Sequence, residues 1–289
     1  MTIEAQKAEL RAYLAETRLA RAFSRRSMMT GIVIGLCAMM TIWSHVMLGS
    51  VQKQPGMAGL PLDAVLMSGG RVRQLILEQH EWWRLLSAGW LHGGWGHLGV
   101  NCVTLFFIGP SMERLYDRWR FVLLLTFSIL GGSVLGLLFS DGLSIGISGG
   151  LAGLLGAVLG YAIRYRRSVP RKVTQSYAQQ VIVMLVLNVI ALANEPSIDH
   201  WGHLGGLLAG FVFGLVARAA SVEAMPTPDR VRWLATFVTG LNLWAMSMVF
   251  LNATQCLSSI HRFEECYAVA LKPVVHDAPT TGSGAEPSP

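Results

Sequence analysis

The chain has 289 residues, 52% of them hydrophobic and only 14% charged. A soluble domain carries about 25% charged residues, so the composition excludes an ordinary soluble protein and indicates an integral membrane one. The net charge of +6 is then a matter of membrane topology. No run of lysine or arginine resembles a nucleic-acid arm, and no nucleic-acid partner is expected.

The first 27 residues are too polar and too long for a signal-peptide n-region, and no small-residue cleavage site follows, so the first apolar segment is expected to be retained. Seven segments qualify as membrane spans: about Thr30–Leu48, Trp90–Ile108, Phe121–Phe139, Gly146–Ile163, Gln179–Ala193, Trp201–Ala217 and Trp233–Leu251. The second is interrupted by polar residues and the fifth is short. The loop after span one, about 49–89, is long enough to carry structure of its own. The closing DAPTTGSGAEPSP is rich in Pro, Gly, Ser and Thr and reads as a disordered tail.

Charge orients the spans. With the N-terminus inside, the inner segments hold 17 of the 23 lysines and arginines, including Arg11, Arg118, Arg166 and Arg230. The outer segments hold six, four of them in the long first loop. This split predicts a cytoplasmic N-terminus and an outside C-terminus. Cys37 and Cys102 fall in spans and read as buried thiols. Cys256 and Cys266 follow span seven, where an oxidising compartment allows a disulfide; two free thiols are the alternative.

Polar groups inside spans are costly unless they face an interior or a wet cavity. They are His92, His97, Asn101, Ser148, His203 and Asn242. Spans two, four and six all enter from the outside, so His97, Asn101, Ser148 and His203 share one level in the outer half of the membrane. His97 and Asn101 stand four residues apart and project from one helix face. Gly149, Gly153, Gly156 and Gly160 line a face of span four, and Gly206, Gly210 and Gly214 share a face with His203 in span six. Small residues let helices approach closely in lipid. Such packing brings Ser148 within hydrogen-bond reach of His203.

A serine hydroxyl becomes a nucleophile when a neighbouring base accepts its proton, and histidine is the usual base. Acyl transfer also needs donors placed at the developing oxyanion. A helix start at Ser148, next to Gly146 and Gly149, offers backbone N–H groups, and His97 and Asn101 offer side-chain donors. His200, beside Asp199, competes with His203 as base. His92 is expected to support the first loop or a water path.

These residues resemble the rhomboid family of intramembrane serine proteases. GISG, Gly146 to Gly149, matches the family's nucleophile motif, and GHLGG, Gly202 to Gly206, matches its histidine motif. The resemblance implies a Ser148–His203 dyad without Asp199, with His97 and Asn101, within WLHGGWGHLGVN, as oxyanion stabilisers. Trp83 and Arg84, within EWWRLLSAGWLH, match the first-loop Trp-Arg, and Glu113 matches the glutamate after span two. Two positions depart from the pattern: Ala152 stands where Tyr or Phe is frequent, and Asp117 where glycine is frequent. The seventh span is similar to the six-plus-one subgroup.

The expectation is an all-α polytopic membrane protein with a rhomboid-like six-helix core and a seventh C-terminal helix. Its parts are a cytoplasmic segment 1–27, the catalytic core 28–217, a linker and seventh helix 218–251, and an outside tail 252–289. The implied activity is serine endopeptidase cleavage of membrane proteins in or near their transmembrane helices. Its partners are transmembrane substrates and membrane lipid, with no cofactor or metal, in a bacterial inner (plasma) membrane. The alternative is a non-catalytic relative that binds membrane clients. A metal or haem site on His92, His97, His200 and His203 lacks the ligand spacing such sites favour.

Overall fold

The computed structural model describes residues 26–48, 62–169, 198–223 and 227–257, with scattered positions within 3–24 and 175–186. Its elements are α1 Met28–Leu48, α2 Leu62–Met67, α3 Arg73–Leu77, α4 Arg84–Ser87, α5 Trp95–Tyr116, α6 Arg118–Phe139, α7 Ser148–Arg164, α8 His200–Val216, α9 Ala220–Glu223 and α10 Asp229–Leu257. A 3₁₀ turn, Ala88–Trp90, follows α4. Among the described residues the architecture is all-α and polytopic. Most of the fifth expected span, part of the first loop, Cys266 and the tail from residue 258 onwards lie outside the described residues.

Among the described residues, four segments are long and apolar enough to cross a membrane: Met28–Leu48, Arg118–Phe139, His200–Val222 and Asp229–Cys256. They match expected spans one, three, six and seven. The fourth expected span is α7, apolar but only 17 residues long, near the lower limit for spanning. The second, α5, has 22 residues and carries His97, Asn101, Glu113 and Arg114. Phe106, Phe107, Leu138, Val212, Phe237 and Trp244 point outward from these helices. Apolar side chains in that position suit a lipid surrounding.

Three boundaries differ from the sequence expectation. The seventh helix, α10, runs on to Leu257 rather than ending at Leu251, so Cys256 lies buried within it and not in the tail. Span two begins at Trp95 rather than Trp90, because residues 84–90 fold into α4 and its 3₁₀ turn and Leu91 leaves that turn extended. At its far end α5 continues to Tyr116, with Pro110 inside it, so Glu113 lies within the helix rather than after it. Glu113 is buried there and accepts hydrogen bonds from the N–H groups of Met29 and Thr30, both at 3.1 Å. It also accepts from the Thr30 hydroxyl at 3.2 Å. A carboxylate at a helix N-terminus satisfies orphan donors and complements the helix dipole. The start of α1 is thereby tied to the end of α5, as neighbouring spans of opposite direction require.

Asp117 links α5 to α6 at φ +74, in the left-handed region that favours glycine. It accepts from the N–H groups of Trp119 at 2.9 Å and Arg120 at 3.0 Å, and from the Thr227 hydroxyl at 2.9 Å. The N-cap and the bond to the segment before α10 offset the backbone strain that glycine would avoid.

The expected glycine seam joins α7 to α8. A Cβ on Gly206, Gly210 or Gly214 would run into the backbone oxygen of Gly149, Gly153 or Ala157, respectively. Similarly, a Cβ on Gly156 or Gly160 would strike the carbonyls of Leu207 or Phe211. The opposing atoms are backbone and cannot swing away. The sequence pattern does not announce a third partner: Gly131 and Gly132 of α6 abut the carbonyls of Gly205 and Gly202. Helix α8 is therefore packed backbone to backbone against both α7 and α6.

Helix α10 docks through side chains instead. Asn242 is buried, accepts from the Trp90 indole N–H at 3.0 Å and donates to the Thr126 hydroxyl at 3.0 Å. This span-embedded amide fastens the seventh helix to the loop and to α6.

Candidate active site

The site forms where α5, α7 and α8 begin. Ser148 is the first residue of α7 and is half-buried. The backbone N–H groups of that first turn have no partner within the helix. Gly146 turns the chain just before it at φ +113, with its N–H bonded to the Ala88 carbonyl at 2.9 Å. On α8, His203 lies one turn from the start and is half-buried, whereas His200 is the exposed first residue. Of the two histidines, His203 lines the cavity that Ser148 also lines, and His200 does not.

Ser148 and His203 line one cavity of about 30 Å³, together with Gly132, Ser133, Gly146 and Asp199. That space admits a water molecule. The chain neighbours of the pair abut: a methyl on Gly149 would lie 3.3 Å from the carbonyl oxygen of Gly202. The expected hydrogen bond itself is not made. Nε2 of His203 is buried with no hydrogen-bond partner, in the cavity that Ser148 also lines.

His97 and Asn101 reach the same place from α5. A Cβ on Gly146 would come within 2.8 Å of the His97 ring and 3.6 Å of Asn101 Nδ2. Asn101 is 4% exposed, and its Nδ2 has no hydrogen-bond partner. A buried amide N–H without an acceptor costs free energy, so such a donor asks for an explanation. A carbonyl oxygen arriving beside Ser148 would supply the acceptor. His92 stays behind this layer, with its ring 5.1 Å from that of His97 and its Nδ1 3.4 Å from the Thr41 hydroxyl.

Trp83 and Arg84 act on the loop rather than in the cavity. Arg84 is fully buried and donates to the carbonyls of Leu66 at 2.8 Å and Gly70 at 2.9 Å. It also pairs with Glu81 and stacks 4.7 Å from the Trp83 ring centre. Trp83 fills the space beside Gly69, whose φ is +92. Glu113 lies twelve residues beyond Asn101 on α5, roughly 18 Å along the helix, and belongs to the fold at the other end.

Asp199 has no place in the dyad that the sequence implies, yet it borders the cavity. It caps α8 through the Gly202 N–H at 2.9 Å and pairs with Arg71 at 2.7 Å. Burial pushes the Arg71 guanidinium below its usual pKa, and Asp199 opposes that shift. The two residues are 128 positions apart, so no local spacing announces the pair.

Residues 79–220 match the Rhomboid domain model. The chain belongs to the rhomboid family. It is 39% identical over 152 residues to RHOMBOID-like protein 4 of Arabidopsis thaliana, covering 51% of this chain and 37% of that protein. It is 36% identical over 146 residues to the rhomboid protease GluP of Bacillus subtilis (strain 168), covering 50% of this chain and 28% of GluP. A shorter match, 33% over 90 residues, is to Inactive RHOMBOID-like protein 8 of Arabidopsis thaliana, covering 31% of this chain and 25% of that protein. These alignments thus span half or less of each relative. The matched Rhomboid domain runs from just before Trp83 to the end of α8 and contains every cavity residue named above. Apolar helices and family together make the chain an integral membrane protein of a family that includes intramembrane serine proteases.

Proposed function

We propose that this rhomboid is an intramembrane serine endopeptidase that cleaves other membrane proteins in or near their transmembrane helices. The supporting observation is that His203 lines one cavity with Ser148, while its Nε2 and the Asn101 Nδ2 close to Gly146 are both buried without hydrogen-bond partners. One can accept a proton inside the cavity that Ser148 lines, and the other is a donor without an acceptor. Their arrangement suits a reaction in which a proton leaves Ser148 and negative charge grows on a bound oxygen.

Ser148 Oγ attacks the scissile carbonyl carbon while His203 Nε2 takes the hydroxyl proton. The carbonyl oxygen gains charge and accepts from Asn101 Nδ2, from His97 and from first-turn N–H groups of α7. Collapse breaks the C–N bond, and His203 returns the proton to the leaving amine. Water then attacks the acyl-enzyme by the same route, releasing the acid and restoring Ser148. A substrate helix hides its carbonyls in internal hydrogen bonds, so segments with helix-weakening residues beyond small residues at the cut fit best.

In this reading residues 28–217 are the catalytic core, α10 is the added helix of a six-plus-one arrangement, and the partners are transmembrane substrates and lipid. The charge split supports a cytoplasmic N-terminus and an outside C-terminus, and we place the protein in a bacterial inner membrane. A client-binding role without cleavage is the second reading. It draws on Ala152, where an aromatic residue is frequent in the family, and on the inactive Arabidopsis relative.

Cleavage of a transmembrane reporter in liposomes, with fluorophosphonate labelling, separates the two. Wild type cleaves and labels. Ser148→Ala and His203→Ala fold but do neither, and combining them costs little more, because the pair works as a unit. A folded wild type that does not cleave supports client binding, and robust cleavage by folded Ser148→Ala would falsify the dyad.

A further inference from the structure

Arg71 is 1% exposed, yet it sits in the first loop and not in any helix of the core. Its backbone exchanges two hydrogen bonds with Ser144, donating at 2.9 Å and accepting at 3.1 Å. Ser144 stands four residues before Ser148 in the turn that delivers it. The side chain reaches the other way: Nη2 donates to Asp199 Oδ2 at 2.7 Å. Asp199 in turn accepts from the Gly202 N–H through Oδ1 at 2.9 Å and from the His203 N–H through its own carbonyl at 3.0 Å. One residue thus holds the approach to Ser148 with its main chain and the start of the His203 helix with its side chain.

The space for this link is built into α6. A Cβ on Gly136 would lie 2.7–2.8 Å from the Arg71 guanidinium, so a glycine at that turn admits the buried charge. Stability does not explain the arrangement well. Burying an ion pair sacrifices hydration that mutual attraction often fails to return, and apolar replacements of both partners are frequently neutral or stabilising. Here Arg71 keeps Nε and Nη1 without hydrogen-bond partners, which makes the pair a still weaker stabiliser. What it supplies is a directional tie between two segments that must stay in register.

We propose that the Arg71–Asp199 pair is a positioning device that aligns Ser148 with His203 across two separate helices. Resting on the serine-protease reading, this adds a requirement outside the dyad and the oxyanion donors. Neither residue handles the substrate. Arg71 acts through Ser144 and Asp199, and Asp199 acts through the first turn of α8.

The decisive variant is the double substitution Arg71→Met with Asp199→Asn, compared with wild type and Ser148→Ala in liposomes. Methionine fills the buried volume without charge, and asparagine remains a good N-cap, so no unpaired charge is left behind. The double variant is expected to melt within a few degrees of wild type and to keep KM within about twofold. Its kcat falls about 10- to 100-fold, the cost of a small misalignment of reacting groups, and fluorophosphonate labels Ser148 more slowly. Wild-type kcat in the folded double variant overturns the positioning role while leaving the protease reading intact. A double variant that does not fold also overturns it, because the pair is then a requirement of folding and not of alignment. If wild type neither cleaves nor labels, the reading and the inference fall together.

Discussion

Gly146 carries two constraints that one substitution would break together. Its φ of +113 is strained for any L side chain, and a methyl there would meet the His97 ring at 2.8 Å. Gly146→Ala should therefore displace His97 or the turn before Ser148 and leave the α7–α8 seam untouched. The expected result is near-complete loss of reporter cleavage in protein that still purifies as a folded species. Asn101→Ala removes a single donor without adding bulk, and turnover should drop about 10²-fold with KM little changed. Equal turnover in wild type and Asn101→Ala would assign the oxyanion to backbone donors alone. Ser148, His203, His97 and Asn101 are legible in the sequence because their chemistry is costly in lipid and their parity fixes a common depth. Asp199 is not, because its reason for burial is Arg71, and nothing in either local pattern refers to the other.

At the scale of elements, the seam between α7 and α8 is readable because glycines recur at helical spacing and only one face can hold them. The contribution of α6 is hidden: Gly131 and Gly132 are adjacent in sequence and form no stripe, yet both meet the backbone of α8. Helix ends are harder to place. Polarity alone puts Glu113 after span two, whereas its bonds to the N–H groups of Met29 and Thr30 offset its burial inside the helix. A carboxylate with preformed donors is tolerated where an isolated one is not. The seam predicts its own test. In Gly210→Ala the new methyl would collide with the Gly153 carbonyl, and only separation of the helices relieves it. Overpacking costs about 1–3 kcal/mol, and the shift also moves His203 relative to Ser148. A lowered melting temperature in detergent is expected together with reduced cleavage. Gly240→Ala in α10, where nothing lies within 4 Å of the added methyl, is the matched control and should change neither.

For the whole molecule, two independent features assign the two ends of the bundle. The helix starts bearing His97, Ser148 and His203 gather at one end, and Glu113 ties the opposite end of α5 to the start of α1. Arg118, Arg120 and Arg164 cluster with that second end, since they open α6 and close α7. Lysine and arginine are retained on the cytoplasmic side during insertion, so the Glu113 end should face the cytoplasm and the cavity should open towards the outer half of the membrane. Single-cysteine variants in a background without native cysteines test this in intact cells. A membrane-impermeant maleimide should fail to label Arg166→Cys, which is exposed beyond the end of α7, until the membrane is permeabilised. Ser283→Cys, in the C-terminal tail, should label at once. The reverse pattern would invert the chain, move the cavity to the cytoplasmic half, and require substrates to be presented from the other side.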